Sequence, residues 1–361
     1  MRLSEYSLHA YRLRYARPVQ WSDIVEEAAP FVLLRLKSDT GHEGVAEVTV
    51  KPTWGGVTAR SLIATIEDIF VPLLRTLDLS DPIAVRRALD KIPENLAAKA
   101  LIDNACWDLY AAQLGRPLWQ HWGGQSRVEV SWAVTRQAPA AMAKEAVAMV
   151  ELHGFRTLKV KGGQGLAVDV AGIAEIRSAL GQDVTLYVDA NGAYPPDQAA
   201  DYSRAIADAG AMVIEDPCPL NPDADFATLR SSIPIPLLVD FGCWSLRDAT
   251  LFLSQGAQAL SVKPGRFGLS DSRLMQDAAA RAGCRVVAGL MGESTLGTFA
   301  ALQFAAALPT PLLPAELTWF LAMTERISAQ SPVIAGGMVE MPATPSMASM
   351  VDWAALRRYS L

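Results

Sequence analysis

Three carboxylates and three lysines in the second part of the chain each follow a short apolar run. The carboxylates are Asp189, Glu215 and Asp240, and the lysines are Lys159, Lys161 and Lys263. Three carboxylates brought together would repel one another and raise each other's pKa unless a positive charge lay between them. Oxygen ligands without histidine or thiolate are typical of hard ions. The residue types therefore predict a Mg²⁺ site, with Mn²⁺ as a substitute. The alternative is that these carboxylates cap helices or pair with the lysines.

Lysines beside such a site predict proton transfer at carbon. Burial and neighbouring positive charge disfavour the ammonium form, so we expect these lysines to lose some basicity and to act as bases near neutral pH. A metal ion that coordinates a substrate carboxylate would stabilise the enediolate formed when the adjacent carbon loses its proton. The expected chemistry is abstraction of a proton next to a carboxylate, and the expected partner is a small-molecule carboxylate.

The residues around these charges form a repeating pattern from residue 128 to residue 335. Eight short apolar runs alternate with alanine-rich helical stretches, and they begin at Val128, Thr157, Thr185, Met212, Pro236, Ala259, Arg285 and Leu312. Their spacing of roughly 25 to 30 residues fits the α/β repeat of a (β/α)-barrel, here a modified TIM barrel. An open doubly wound sheet would also alternate, but no GxGxxG turn follows the first run. In the barrel, Lys161 and Lys263 would lie on opposite walls of one mouth, and Lys159 would steady the neighbouring charge.

Residues 1–127 do not follow this repeat. Strand-like runs at 3–15 and 31–38 are followed by the turn sequence Asp39-Thr40-Gly41 and a third run at 44–50. Helical stretches are expected at 59–77, 81–89 and 95–114. The pattern predicts an N-terminal α+β capping domain over residues 1–127. Residues 336–361, which are rich in Met, Pro and Ser, are expected to pack back onto it.

Composition excludes several classes of partner. The net charge of −6 comes from interspersed acidic and basic residues without a basic stripe, so nucleic acid is not expected. The charged N-terminus lacks the apolar stretch of a signal peptide, and no later run is long enough to cross a bilayer. We therefore expect a soluble cytoplasmic protein with no membrane partner. The cysteines lie far apart without a CxxC pair, which favours buried, reduced thiols at Cys106, Cys218, Cys243 and Cys284.

Five short motifs occur in a fixed order along the chain. They are Lys159-x-Lys161, Asp189-x-Asn191, Glu215-Asp216-Pro217, Asp240 and Val262-Lys263-Pro264. Together they resemble the enolase superfamily, in the muconate lactonizing enzyme subgroup of the mandelate racemase family, over nearly the whole chain. The resemblance implies that Asp189, Glu215 and Asp240 bind the metal and that Asn191 supports the metal site. It also implies that Lys161 and Lys263 are the acid/base pair, while Lys159 binds the carboxylate or tunes Lys161. This architecture commonly forms symmetric assemblies, so a homo-oligomer is expected.

The later part of the chain is also similar to muconate cycloisomerases, at residues 289–298 and at Glu316-Leu317. A histidine base of the mandelate racemase type is absent, because no histidine follows His153. The substrate contacts that the resemblance implies are Glu293, Glu316, Trp21, Lys51 and Trp54. For the tryptophans the alternative is simple packing of the cap on the barrel rim.

Two departures from the subgroup pattern bear on function. Asp240 is followed by Phe241, where the subgroup usually has a glutamate, and this leaves the orientation and charge of Lys161 open. Glu316-Leu317-Thr318 stands where dipeptide epimerases carry an Asp-x-Asp that grips the substrate ammonium. Dipeptide epimerisation is discounted accordingly.

Four functions are compatible with these residues. A cycloisomerase-like isomerase or lyase would use one lysine for the chemistry and the opposite one for its charge, and this function is favoured. A racemase or epimerase of an acyl amino acid or a related carboxylate would use Lys161 and Lys263 in turn. A Schiff-base aldolase is disfavoured by the crowded carboxylates. A catalytically inactive metal-binding barrel is the alternative outside the enzymes. The sequence predicts a reaction class and not a substrate.

Overall fold

The N-terminal region is a three-stranded antiparallel sheet with helices packed on it. The structure, a computed structural model, describes residues 1–21 and 24–361. The strands, in the order β1-β2-β3, are β1 (Leu3–Gln20), β2 (Val25–Ser38) and β3 (Glu43–Thr49). Gly41 lies in the turn between β2 and β3 at a φ of +86°, a left-handed conformation that glycine adopts without strain. The predicted meander is confirmed.

The helices that follow are α1 (Pro52–Gly55), α2 (Ala59–Thr65), α3 (Val71–Leu74), α4 (Pro82–Leu89), α5 (Leu96–Leu114) and α6 (Leu118–His121). The predicted helical stretches are confirmed, and a π-helical turn at Ile66–Phe70 joins α2 to α3. Helix α5 packs directly on β3 because Gly44 carries no side chain. A Cβ at Gly44 would lie 2.4 Å from the backbone nitrogen of Leu109.

The second part of the chain is a curled parallel sheet surrounded by helices. Its seven strands, in spatial and sequence order, are β5 (Trp132–Val134), β6 (Thr157–Lys161), β7 (Thr185–Asp189), β8 (Ile214–Glu215), β9 (Leu237–Val239), β10 (Ala259–Val262) and β11 (Arg285–Ala288). The helices are α7 (Pro139–His153), α8 (Leu166–Leu180), α9 (Ala199–Asp208), α10 (Ala224–Ser232), α11 (Leu246–Ser254), α12 (Pro264–Arg281) and α13 (Thr295–Ala306). The strands are almost wholly buried, as expected of parallel strands covered on both faces. The predicted α/β class is confirmed.

The expectation of eight barrel strands is wrong at the last run, and the first barrel strand begins later than expected. The run from Val128 divides into β4 (Arg127–Glu129), which belongs to another sheet, and β5. The run from Leu312 forms an isolated parallel bridge, between Val130 and Ala315, instead of a strand. Pro314 is the reason, because it has no N–H to continue a ladder.

The Leu312 run nevertheless spans the gap between the first and last barrel strands. Ala315 N–H donates to the Glu129 carbonyl over 2.9 Å, and Ser131 N–H donates to the Ala315 carbonyl over 2.9 Å. On the other side, Glu316 N–H donates to the Ala288 carbonyl at the end of β11 over 2.9 Å. These bonds bring Glu316 to the mouth of the barrel, beside the other strand ends.

The C-terminal segment contacts both regions of the protein. It contains the hairpin β12 (Ile334–Ala335) and β13 (Met338–Glu340), 3₁₀ turns at Trp319–Ala322 and Met347–Met350, and α14 (Trp353–Arg358). Strand β13 pairs with β4. Near the end of the chain, Met347 N–H donates to Asp108 of α5 over 2.9 Å, and Arg12 N–H of β1 donates to the Tyr359 carbonyl over 3.0 Å. The domain boundaries at residues 127 and 335 stay predictions.

Two of the broader expectations concern cysteines and membranes. The four cysteines are buried and form no disulfide, as predicted. Among the described residues, no helix combines the length and apolarity needed to cross a membrane. The cytoplasmic location and the homo-oligomer stay predictions.

Candidate active site

The ends of adjacent parallel strands bring the predicted charges side by side. In the ladder between β6 and β7, Lys161 stands opposite Asp189, and in the next ladder Asp189 stands opposite Glu215. Asp240 and Lys263 directly follow β9 and β10. All of these side chains are buried. Side chains alternate between the two faces of each strand, and these residues all stand at the C-terminal ends of their strands. The six predicted charges therefore lie together at one end of the barrel, as the sequence led us to expect.

Lys161 is held by two residues from the neighbouring strand end. Its Nζ donates to Asp189 Oδ2 over 2.5 Å and to Asn191 Oδ1 over 3.2 Å. Asn191 has a left-handed backbone at a φ of +51°, which asparagine tolerates better than most residues. Its N–H donates to Asp189 Oδ1 over 2.8 Å. Asn191 therefore fixes both the lysine and the carboxylate, and it does so without a glutamate at position 241.

Lys263 makes the equivalent contact on the other side of the site. Its Nζ donates to Asp240 Oδ2 over 2.5 Å. Burial alone would raise the pKa of Asp240, but the guanidinium of Arg266 and the ammonium of Lys263 hold it well below the usual range. Arg266 Nη1 donates to Asp240 Oδ1 over 3.0 Å. Sequence reasoning missed Arg266, although its position three residues after Lys263, in the first turn of α12, would have placed it near this mouth.

Lys159 lies among three carboxylates. Its Nζ is 3.0 Å from Asp189 Oδ2, 2.7 Å from Glu215 Oε2 and 3.0 Å from Glu316 Oε1. Burial would lower the pKa of Lys159, but these carboxylates raise it well above the ordinary value. The expectation of weakened basicity is therefore wrong for Lys159. Its contacts are those of a counter-charge to the three carboxylates, and its role in the reaction stays a prediction.

The pKa values of Glu215 and Asp189 are shifted in opposite directions. Burial and then the charge of Asp189 raise the pKa of Glu215 well above its ordinary value. For Asp189, burial acts in the same direction but is outweighed by Lys159 and Lys161, which hold its pKa well below the usual range. The buried Glu215 Oε2 accepts no well-aligned hydrogen bond from any described residue, despite its closeness to Lys159. One buried oxygen of the predicted ligand set therefore lacks a hydrogen bond.

Whether these carboxylates suit a divalent cation depends on their geometry and on the chemistry of their donor atoms. Over residues 1–21 and 24–361, no group of three acidic, histidine or cysteine side chains converges closely enough to hold an ion, because the lysines lie between the carboxylates. The donors at the three strand ends are nevertheless all carboxylate oxygens, which suit Mg²⁺. The under-bonded Glu215 oxygen can accept a cation without giving up a hydrogen bond. The donor types and the under-bonded oxygen suit a hard divalent ion, and the metal site itself stays a proposal.

A cavity of about 150 Å³ opens over these groups. Its lining residues are Trp21, Thr53, Trp54, Lys159, Lys161, Asn191, Asp240, Phe241, Lys263, Arg266 and Leu290. Asp189 and Glu215 are completely buried and contact the lysines that line it. We call this space the reaction cavity. It holds both predicted acid/base lysines and both predicted tryptophan contacts.

Lys51 lies behind the tryptophans instead of in the reaction cavity. It forms an ion pair with Glu26, and its Nζ is 5.4 Å from the Trp21 ring centroid and 5.2 Å from that of Trp54. Trp21 Nε1 also donates to Glu26, over 3.1 Å. Lys51 lines a neighbouring cavity of about 250 Å³. Its contacts place it as a support for the two tryptophans.

Glu293 and Glu316 are buried and do not reach the lining of the reaction cavity. Glu316 accepts hydrogen bonds from Lys159 over 3.0 Å and from the Tyr187 hydroxyl over 2.6 Å. Glu293 accepts from Met291 N–H over 2.7 Å, and burial raises its pKa to about 7. The role of these glutamates as substrate contacts stays a prediction.

Asp169 organises the glycine-rich loop that follows Lys161. It accepts hydrogen bonds from Gly163 N–H over 2.7 Å, from Gln164 N–H over 3.1 Å and from the Tyr194 hydroxyl over 2.6 Å. Tyr194 belongs to the loop that follows Asn191, so Asp169 joins the loops after β6 and β7. Sequence reasoning missed it. Its one signal was an acidic residue in the first turn of a helix after a glycine-rich loop.

Comparisons with known proteins agree with this geometry. Residues 7–123 match the family described as mandelate racemase / muconate lactonizing enzyme, N-terminal domain, and residues 141–354 match the family described as enolase C-terminal domain-like. An o-succinylbenzoate synthase of Geobacillus stearothermophilus is 30% identical, covering 87% of this chain and 81% of that protein. A hydrophobic dipeptide epimerase of Enterococcus faecalis is 30% identical, covering 78% of this chain and 80% of that protein. A solved structure of a Mycobacterium smegmatis muconate lactonizing enzyme with muconolactone covers 100% of both chains at a TM-score of 0.95 and 27% identity.

Proposed function

The chain is an enzyme of the mandelate racemase/muconate lactonizing enzyme family within the enolase superfamily, and from this premise we propose that it removes the proton next to a substrate carboxylate. One observation carries the proposal. Lys161, at the end of β6, and Lys263, directly after β10, line the same cavity, and each is hydrogen-bonded over 2.5 Å to a different buried carboxylate. Two anchored amines facing one cavity are suited to proton transfer at a carbon held between them.

Asp189, Glu215 and Asp240 would hold Mg²⁺, or Mn²⁺ in its place, with Asn191 supporting the metal site. When bound, the ion supplies positive charge that stabilises the dianion left after loss of the proton. Binding also requires the lysines to yield part of their contact with Asp189 and Asp240. That exchange would free Nζ of Lys161 and Lys263 to face the substrate.

The chain's own residues would then divide the work. Lys161 or Lys263, in its neutral amine form, would accept the proton from the substrate carbon on Nζ and become an ammonium. Lys159 would balance the charge of Glu215 and Glu316 throughout. Arg266 keeps Asp240 ionised. Trp21 and Trp54 cover the cavity and limit the entry of water, which strengthens the electrostatic interactions inside it.

We favour a cycloisomerase-like isomerase or lyase, in which one lysine does the chemistry. The muconate lactonizing enzyme and o-succinylbenzoate synthase among its relatives support this choice. The near-equal environments of Lys161 and Lys263 support a second candidate, a racemase or epimerase of an acyl amino acid or a related carboxylate. A dipeptide is the weaker candidate substrate, because Glu316-Leu317-Thr318 offers no pair of aspartates for an ammonium group.

Deuterium exchange tests the proposal and separates the two candidates. The protein would be incubated in D₂O with Mg²⁺ or with a chelator, together with muconolactone or with either enantiomer of an N-acyl amino acid. We expect Mg²⁺-dependent deuterium uptake at the carbon next to a carboxylate, read by NMR. Uptake from both enantiomers would establish the epimerase, and uptake on one face the cycloisomerase or lyase. Bound Mg²⁺ without exchange on any of a broad panel of acids would overturn the proposal in favour of an inactive barrel.

A further inference from the structure

Phe241 is a large apolar side chain exposed inside a charged site. It directly follows Asp240, lines the reaction cavity and remains 48% exposed. Its backbone N–H donates to Asp216 Oδ2 over 2.6 Å, which fixes the start of the loop. Gly242 then packs so closely that a Cβ there would lie 2.5 Å from the Leu220 carbonyl oxygen. The backbone on both sides of the ring is therefore held in place.

Packing within the protein uses only part of this ring. Phe241 meets Trp244 edge-on, with ring centroids 5.4 Å apart. Trp244 in turn lies under Arg266, whose guanidinium carbon is 4.3 Å from the ring centroid. A phenylalanine needed merely to fill the loop would be buried. Phe241 instead stays nearly half exposed, and it is among the residues that line the reaction cavity.

The reaction cavity is lined by both charged and apolar side chains. The charged ones are Lys159, Lys161, Asp240, Lys263 and Arg266, and the large apolar ones are Trp21, Trp54, Phe241 and Leu290. A ligand with a carboxylate and no apolar group would leave the apolar part of this lining in contact with water. A ligand that carries both would remove apolar surface from water while its carboxylate meets the cations.

We propose that Phe241 determines specificity by selecting carboxylates that carry an aromatic or bulky aliphatic group near the reacting carbon. The inference rests on the proposed function, because it places the carboxylate end of the substrate among the lysines. A carboxylate side chain at position 241 would put a fourth acidic group beside the site and would disfavour an apolar substituent there. Phenylalanine removes that charge and offers a contact surface instead.

Calorimetric binding of two simple carboxylates to the Mg²⁺-loaded, full-length protein tests the inference. The probes are 3-phenylpropionate and propionate, which share the carboxylate and differ by a phenyl ring. We expect the parent protein to bind 3-phenylpropionate at least about tenfold more tightly. Phe241→Gln should abolish most of this preference while changing the affinity for propionate by less than about threefold. Phe241→Leu should retain most of it, because leucine keeps the surface apolar.

The outcomes are distinguishable from failure of the proposed function. An unchanged preference in Phe241→Gln would overturn the inference, even if proton exchange is observed. The expected loss of preference would support it, even if no exchanging substrate has been found. Equal Mg²⁺ affinity and equal thermal unfolding of the parent and variants serve as the control for folding. If Phe241→Gln unfolds, Phe241→Ala provides a second variant, which should also lose most of the preference because it removes the ring.

Discussion

The ammonium group of Lys161 lies 2.5 Å from Oδ2 of Asp189, and both side chains are buried at the ends of adjacent parallel strands. A proposed base is thus anchored by a proposed metal ligand. Lys263 and Asp240 repeat the arrangement on the other side of the cavity. The proton-transferring groups and the metal site are therefore coupled, and a change to one should be felt by the other.

Substituting either lysine tests this coupling through activity. Lys161→Ala and Lys263→Ala should each lower the rate of proton exchange by a factor of about 10² to 10⁴ on the face that the missing lysine serves. In an epimerase, each variant would retain exchange of one enantiomer. In a cycloisomerase, one variant would lose exchange and the other would lose turnover through its missing charge. NMR detection of deuterium uptake separates these results.

Lys144→Ala provides the matched control, because Lys144 is an exposed lysine on α7. This variant should exchange the substrate proton for deuterium at the parent rate. Exchange at the parent rate in both the Lys161 and Lys263 variants would show that these amines do not carry the chemistry. A loss in the Lys144 variant as large as in those two would show the same.

Removing Asp169 should destabilise the protein, because it leaves two backbone N–H groups and two hydroxyls without their acceptor. The second hydroxyl is that of Tyr202, which donates to Asp169 Oδ2 over 2.9 Å. Asp169→Ala is expected to lower the free energy of unfolding by roughly 2 to 4 kcal/mol, measured by urea denaturation. Tyr194→Phe removes one of these bonds and should cost about 1 kcal/mol. An equal loss of unfolding free energy in Asp169→Ala and Tyr194→Phe would contradict the conclusion that Asp169 joins the two loops through several hydrogen bonds.

The buried Asp103 should make stability depend on pH. It accepts hydrogen bonds from Ser270 N–H over 2.8 Å and from the Ser270 hydroxyl over 2.6 Å, and burial raises its pKa to about 7, against the opposing charge of Arg86. The folded protein then holds a proton that the unfolded chain, titrating near pH 4, has released. The contribution of Asp103 to stability is complete below about pH 4 and is lost as pH rises to about 7.

Urea unfolding of Asp103→Asn at pH 5 and pH 8 measures this effect. The variant should lack a fall in unfolding free energy of roughly 1 to 3 kcal/mol that the parent shows between these pH values. Asp208→Asn, at an exposed position on α9, should keep the parental slope. Other buried acids also contribute to that slope, so the difference between the variant and the parent isolates Asp103. A parental slope in Asp103→Asn would remove it as the cause.

The strand ends could be predicted from sequence because apolar runs are readable and because charges that interrupt them are rare. Lys159, Lys161, Asp189, Glu215 and Asp240 were all located by this rule, and the fold provides the geometry that brings them together. The rule failed at Leu312, where the run is apolar but Pro314 cannot donate to a ladder.

The remaining parts of the site depend on contacts that no pattern records. Arg266 and Asp169 are single charged residues in the first turns of helices, and an isolated charge at such a position predicts no particular contact. The resemblance implied that Lys51 contacts the substrate, but its ion pair with Glu26 places it behind Trp21 and Trp54. Which lysine bonds to which carboxylate depends on the register between neighbouring strands and on side-chain conformation, and a sequence states neither.

Calorimetric titration of Mg²⁺ into metal-stripped protein tests the central claim most directly. The comparison is between the parent, the Asp189→Asn, Glu215→Gln double variant, and a control double variant with the same chemical changes at exposed positions, Asp208→Asn, Glu175→Gln. We predict saturable binding of one ion in the parent and the control, and its loss in the first double variant. Equal binding in all three proteins, or binding in none, would contradict the claim that these strand ends form a metal-assisted site for proton abstraction.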